Sequence, residues 1–161
     1  MTHLEEYKNQ NRWRNWTSYI DKLPIKNTDI ILDLGCGISY VTKLLSDKAL
    51  EIIGIDGNNS LLIEANVSNS SKNIKYINHD LKTINEISLP LFNGIWASFI
   101  AAYFSDFSIY LKDWIQFLKP GGWIAIVEVN DLFAHQPISN LTYKGFKEFY
   151  KLQRSKKLYD Y

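Results

Sequence analysis

Two glycines separated by one residue, Gly35-Cys36-Gly37, follow a short apolar run and precede a stretch with helical spacing. Glycine lets the backbone turn sharply and approach a ligand with no Cβ in the way. The helix that follows then presents free amides to that ligand. Asp56 stands 21 positions beyond Gly35, at the end of the next apolar run. An acid there can accept two hydrogen bonds from the ribose hydroxyls of a nucleoside lying across the turn. It can equally cap a helix, since Asn58 and Asn59 suit a turn. Asp80, in Asn78-His79-Asp80-Leu81, can accept a bond from the amino group of an adenine or cap the segment after it. The glycine pair and the acid together are far more specific than either alone.

Other reactive side chains point elsewhere. Cys36 has no histidine near it in sequence, so a small residue between two turn glycines is the simpler account than a nucleophile. His3, His79 and His135 show no metal-ligand spacing, and no metal is expected. Tyr40 occupies the position five beyond Gly35 where a dinucleotide fingerprint requires a third glycine, which disfavours a nicotinamide enzyme.

The elements that must position these residues alternate. Leu4 to Leu23 carries Trp13, Trp16, Tyr19, Ile20 and Leu23 at three- and four-residue spacings and reads as one amphipathic helix stopped by Pro24. Ile30 to Leu34 reads as a strand buried on both faces. A helix follows over Tyr40 to Leu50, and a second strand over Glu51 to Ile55. Asn59 or Ser60 caps the next helix, and Ile74 to Ile77 is a third strand. Gly94 to Ile100 is a fourth strand, and Asp106 to Leu118 a helix closed by the turn Lys119-Pro120-Gly121-Gly122. Trp123 to Val129 is the fifth and strongest strand, and a last helix starts near Asn140. Five such alternations predict an α/β fold, an open, doubly wound and mainly parallel sheet. Its ligand is expected beyond the carboxyl ends of the strands, where the strand order reverses.

The chain has 161 residues, enough for one domain. Its 18 basic and 17 acidic residues nearly cancel, so neither nucleic acid nor a membrane is expected as a partner. A single cysteine excludes an internal disulfide. The longest mostly apolar run, Ile95 to Phe104, is too short to span a bilayer, and residues 1 to 22 are polar and aromatic and lack the apolar block of a signal peptide. A cytoplasmic setting is the default expectation.

The motifs together resemble class I, Rossmann-like S-adenosylmethionine-dependent methyltransferases over about residues 28 to 130. Ile31-Leu32-Asp33-Leu34-Gly35-Cys36-Gly37 looks like the family's first motif, Ile53-Gly54-Ile55-Asp56 the second and Asn78-His79-Asp80-Leu81 the third. Phe92 to Ile100 resembles the fourth strand with the loop under the methionine portion, and Phe117 to Trp123 the turn into the fifth. The resemblance implies methyl transfer from S-adenosylmethionine, leaving S-adenosylhomocysteine. It implies that Asp33 orients the loop and the cofactor's amino end, with Gly35, Cys36 and Gly37 passing beneath methionine and ribose. Asp56 would bind the ribose hydroxyls with Gly57 leaving room beside it. Asp80 would bind the adenine amine with Leu81 against the ring, and Ser98 would offer a backbone contact to the ammonium with Phe99 nearby. Ser39 replaces the usual third glycine, and Asn93 stands where an acid is common.

Residues after the fifth strand face the acceptor in such folds; here His135 is the candidate base, beside Asn130, Asp131 and Phe133. Tyr7, Arg12, Trp13 and Trp16 either form a lid over the cofactor or pack on the sheet. The expected organisation is a single methyltransferase domain over residues 1–161: a lid or packing helix in 1–24, the cofactor-binding core in 28–130, and the start of an acceptor-side region in 131–161. No antiparallel strand pair fits after the fifth strand. The sequence therefore reads as truncated, with a homodimer through the exposed sheet edge as the other expectation. A small-molecule acceptor is favoured. The reading from another class is a non-catalytic or degenerate regulatory domain that binds the cofactor.

Overall fold

The computed structural model describes residues 3–104, 106–128 and 139–155. Five parallel strands form one sheet: β1 (Ile30–Leu34), β2 (Glu51–Asp56), β3 (Ile74–Asn78), β4 (Phe92–Ser98) and β5 (Leu118–Val127). Their order is β3-β2-β1-β4-β5, so the winding reverses between β1 and β4. Among the described residues no antiparallel pair joins the sheet.

Side-chain alternation along the strands sorts the core into two layers. Leu32, Leu34, Ile53, Ile55, Ile95 and Ala97 point to one face, under Trp114 of α5 (Phe107–Ile115) and Leu81 and Ile84 of a short 3-10 helix (Leu81–Glu86). Ile31, Ile52 and Trp96 point to the other face. They meet Trp16 and Ile20 of α2 (Trp16–Ile20) and Val41 and Leu45 of α3 (Tyr40–Ser46). The expected doubly wound architecture is the observed one.

Several boundaries differ from expectation. The N-terminal helix is two helices, α1 (His3–Trp13) and α2, because Asn15 leaves helical geometry and its side chain caps Ser18 N at 3.3 Å. Helix α5 ends at Ile115 rather than Leu118, since Phe117 O already accepts from Phe92 N at 2.7 Å and draws the chain into the sheet. The Lys119-Pro120-Gly121-Gly122 turn consequently lies inside β5, absorbed by a register irregularity opposite Phe92 and Gly94. Strand β4 starts and ends two residues early, at Phe92 and Ser98. Asp106 caps α5 through Ser108 N, and Asn58 rather than Asn59 or Ser60 caps α4 (Asn59–Ser68). Helix α6 (Asn140–Ser155) starts where expected. Val129 lies outside the described residues. Among those described, no helix is long and apolar enough to cross a membrane.

Candidate functional site

The chain leaves β1 through Asp33 and Leu34 and enters the glycine turn. Gly35 N and Cys36 N both donate to Ile55 O, at 2.8 and 3.1 Å, which pins the turn to the end of β2. Gly35 has φ +68°, and a Cβ there would collide with Ile100 Cγ2. Gly37 has φ +53°, and no heavy atom lies within 4 Å of where its Cβ would be. The first glycine is thus required by packing and backbone, and the second opens directly onto space.

That space is a cavity of about 800 Å³ at the carboxyl ends of β1, β2 and β4, where the strand order reverses. Asp33, Gly35, Cys36 and Gly37 line it, as do Asp56, Gly57, Asp80, Leu81, Ser98 and Phe99. Every cofactor-binding residue expected from the sequence is therefore brought to one cavity. His79 does not line it; its Nε2 lies 2.9 Å from Thr83 O. Among the described residues no group of three His, Cys, Asp or Glu side chains has metal-binding proximity. His135, Asn130, Asp131 and Phe133 lie outside the described residues.

Asp56 does two jobs. Its Oδ2 accepts from Gly37 N at 2.8 Å and its Oδ1 from Asn58 N at 2.8 Å, so one carboxylate clamps the glycine turn to the turn before α4. Each carboxylate oxygen has a second lone pair for a ligand hydroxyl. Asp80 likewise accepts from Lys82 N at 2.9 Å, capping the 3-10 helix while facing the cavity. Capping and ligand binding were alternatives on paper; the geometry permits both at once.

Asp33 is fully buried, and its carboxylate accepts from Thr42 Oγ1 at 2.5 Å. Burial, against the Thr42 bond and aided by the charge on Asp56, raises its pKa to about 7. Burial, with the Asp33 charge beside it, pushes the Cys36 thiol well above its ordinary range. A protonated, inert thiol fits the turn-residue account.

Ser39 keeps the backbone that a glycine would adopt, at φ +62°. Its hydroxyl is buried, does not line the cavity and has no partner of full hydrogen-bond geometry; Cys36 and Tyr76 are its polar neighbours. Asn93 is structural. Its Oδ1 accepts from Ile30 N at 3.0 Å and from Lys119 Nζ at 2.9 Å, tying together the entries of β1, β4 and β5.

The other wall comes from α1 and the segment after it. Of the four residues named as a lid, Tyr7 and Trp16 line the cavity, whereas Arg12 does not and Trp13 is 83% exposed. The sequence reading missed Gln10, Asn11 and Arg14, which line it with Tyr7. Positions 7, 10 and 11 share one face of α1, a signal present in the sequence but masked by the more conspicuous tryptophans, whereas Arg14 lies just past the end of that helix. The Arg14 guanidinium sits 3.9 Å from the Phe99 ring centroid, and partial burial lowers its pKa from the usual arginine value. Phe99 itself has φ +54°, a conformation costly for an aromatic residue and typical of functional sites.

The model of the methyltransferase-domain family matches residues 32–126, more than half of the chain. The chain belongs to that family. Its cofactor is S-adenosylmethionine, and the residues fit it: a glycine turn open over Gly37, an acid at each of three successive strand ends and one cavity joining them. Human mitochondrial ubiquinone biosynthesis O-methyltransferase is 31% identical over 105 residues, 62% of this chain and 28% of that protein. The ubiquinone biosynthesis O-methyltransferase of Bradyrhizobium diazoefficiens is 27% identical over 101 residues, 62% and 40% of the two chains. This chain thus spans less than half the length of either relative. Among solved structures, an S-adenosylmethionine-dependent methyltransferase from Mesorhizobium loti superposes with a TM-score of 0.59 at 25% identity, over 69% of this chain and 51% of that one. DhpI in complex with S-adenosylhomocysteine shares the fold at a TM-score of 0.59 and 23% identity, over 63% and 50% of the chains.

Proposed function

We propose that this chain transfers the methyl group of S-adenosylmethionine to an oxygen of a small-molecule acceptor. The observation that carries this reading is the convergence of Asp33, the Gly35–Gly37 turn, Asp56, Asp80 and Arg14 on one cavity. Asp56 faces the ribose hydroxyls while holding the turn in place. Asp80 accepts from the adenine amine, with Leu81 against the ring. Asp33 and the Ser98 backbone face the ammonium, and Arg14, held on the Phe99 ring, faces the carboxylate. When bound, the cofactor supplies a methyl group already activated on a sulfonium. The protein's task is then alignment of the acceptor, a proximity effect. A cavity of about 800 Å³ is near the upper end for small-molecule sites and accommodates a nucleoside and a compact acceptor together. An oxygen acceptor follows the two named relatives, both O-methyltransferases.

Calorimetry with S-adenosylhomocysteine and with methylthioadenosine, which lacks the amino-acid end, tests the site. Arg14→Gln is expected to weaken the first by about tenfold or more, the worth of one charge-assisted bond, and to leave the second nearly unchanged. Equal loss for both ligands would remove Arg14 from the carboxylate. Formation of S-adenosylhomocysteine with a panel of phenolic and carboxylate acceptors tests the reaction. Tight binding with no product across that panel would favour the non-catalytic domain.

A further inference from the structure

A second cleft, of about 280 Å³, adjoins the cofactor cavity. It lies where the break between α1 and α2 meets the carboxyl ends of β4 and β5. Phe99 N donates to Val127 O at 2.9 Å, which joins the two strand ends, and both residues line the cleft. Arg14, Trp16 and Phe99 line both spaces, so the partition between them is one guanidinium and two rings. The chemistry of the cleft is narrow. Trp13 and Tyr19 add two more aromatic side chains. Both are exposed and belong to neither core layer, so packing does not account for them. The rings are tilted against one another. Trp16 meets Tyr19 at 57° and Phe99 at 68°, with centroids 6.4 and 5.7 Å apart. A flat ring entering among them finds edge-to-face or offset partners on more than one side. An aliphatic group of the same size gains only the burial of its area. Arg14 is the only charged residue lining the cleft among those described. Its guanidinium lies 3.9 Å from the Phe99 centroid and 5.7 Å from that of Trp16. Of the donors that a guanidinium carries, one reaches Gln10 Oε1, at 3.4 Å. A cofactor carboxylate takes a further pair, which leaves donors for an anion on the other side of the partition.

We propose that this cleft seats the body of the methyl acceptor, and that the acceptor is a flat aromatic ring carrying an anionic oxygen. The ring lies among Trp13, Tyr19 and Phe99, and the oxygen faces Arg14. This inference rests on the methyl transfer proposed above. Small-molecule sites begin at about 300 Å³, so a cleft of about 280 Å³ suits one substituted ring and not a second nucleoside. A ring seated there abuts the methionine end of the cofactor, because the same Arg14 and Phe99 face both.

Three matched probes test this by calorimetry on the full chain saturated with S-adenosylhomocysteine, which fills the first cavity. They are benzoate, benzamide (the ring without the charge) and cyclohexanecarboxylate (the charge without the aromatic ring). Benzoate is expected to bind tightest. Benzamide should bind about tenfold more weakly, for the lost charge-assisted bond. Cyclohexanecarboxylate should bind about three- to tenfold more weakly, for the lost ring contacts. Trp13 and Tyr19 line the cleft but not the cofactor cavity. Trp13→Ala and Tyr19→Ala are each expected to weaken benzoate about three- to tenfold. Both should bind S-adenosylhomocysteine as the wild type does, which shows that they remain folded. Absence of benzoate binding, equal affinity for the three probes, or benzoate affinity unchanged in both variants overturns the proposal. The expected discrimination in a chain that methylates no acceptor would support the cleft as an aromatic-anion site and overturn only the transfer reading.

Discussion

Asp56 holds two backbone amides before any ligand arrives, so its removal acts twice. Asp56→Ala is expected to weaken S-adenosylhomocysteine by ten- to a hundredfold or more, through lost ribose bonds of about 1.5–3 kcal/mol each and a loosened glycine turn. Asp80→Ala, which loses one amine bond and one cap, is expected to cost less; equal affinities of Asp56→Ala and wild type in calorimetry would dismiss the role. Ser39 carries the opposite burden. A non-glycine residue at φ +62° costs roughly 1–2 kcal/mol, and its buried hydroxyl, only partly satisfied by its neighbours Cys36 and Tyr76, adds up to about 1 kcal/mol. Glycine gives back up to about 1 kcal/mol of this through its greater freedom in the unfolded chain. Ser39→Gly should therefore raise stability by about 1–2 kcal/mol, seen as a melting point several degrees higher. Asp33 supplies the pH dependence. Its folded pKa of about 7 lies above the ordinary 3.8, so between these values the folded chain keeps a proton that the unfolded chain has released. Stability without ligand should fall as pH rises through that window and level off above it. A cationic ammonium beside Asp33 favours the ionised carboxylate, so cofactor affinity should rise from pH 5.5 to about 7. Asp33→Asn should flatten both profiles; a wild-type melting point that does not fall between pH 5 and 7 would contradict the assignment.

Elements were legible wherever one periodicity dominated. Ile30 to Leu34 is apolar at four of five positions because both of its faces are covered, and no helix has that run next to a glycine pair. The break between α1 and α2 was hidden because Trp13, Trp16 and Tyr19 keep helical spacing across it. Only the Asn15 cap, a single polar side chain, marks the boundary. Arg14 sits in that break, which is why its approach to Phe99 could not be read from either helix. The Lys119 to Gly122 segment carries the chemistry of a turn, yet β4 recruits it into a strand, a tertiary pairing that no local pattern announces. The same pairing explains Gly94. A Cβ there would collide with the Trp123 indole, which lies across the strand from β5. Gly94→Ala is expected to destabilise by about 1–3 kcal/mol through overpacking, with a lower melting point and altered tryptophan fluorescence. An unchanged melt would show that Trp123 moves aside freely.

Across the whole molecule, stability is distributed unevenly around the cavity. The sheet side rests on two core layers containing β1, β2 and β4, whereas no described residue of α1 belongs to either layer. Helix α1 is attached by polar contacts instead. Lys8 pairs with Glu64 of α4 at 2.7 Å, and Asn11 Oδ1 accepts from Trp16 Nε1 at 3.1 Å. Arg14, just beyond it, rests on Phe99. Exposed ion pairs contribute little, so α1 should open locally at a small fraction of the cost of global unfolding. Yet Tyr7, Gln10 and Asn11 form one wall of the cavity whose other wall is the glycine turn. A ligand touching both walls joins a loosely attached element to one held in the core layers. At a hundredfold excess over its dissociation constant, such a ligand adds about 2.7 kcal/mol to global stability. The expected pattern in hydrogen exchange is therefore uneven. S-adenosylhomocysteine should slow exchange of the α1 amides by about tenfold or more, while β1 and β2 change only by the global increment. Arg14→Gln should reduce the α1 effect without altering the strands. Uniform protection of all elements, with α1 no different from β3, would mean that α1 takes no part in holding the ligand.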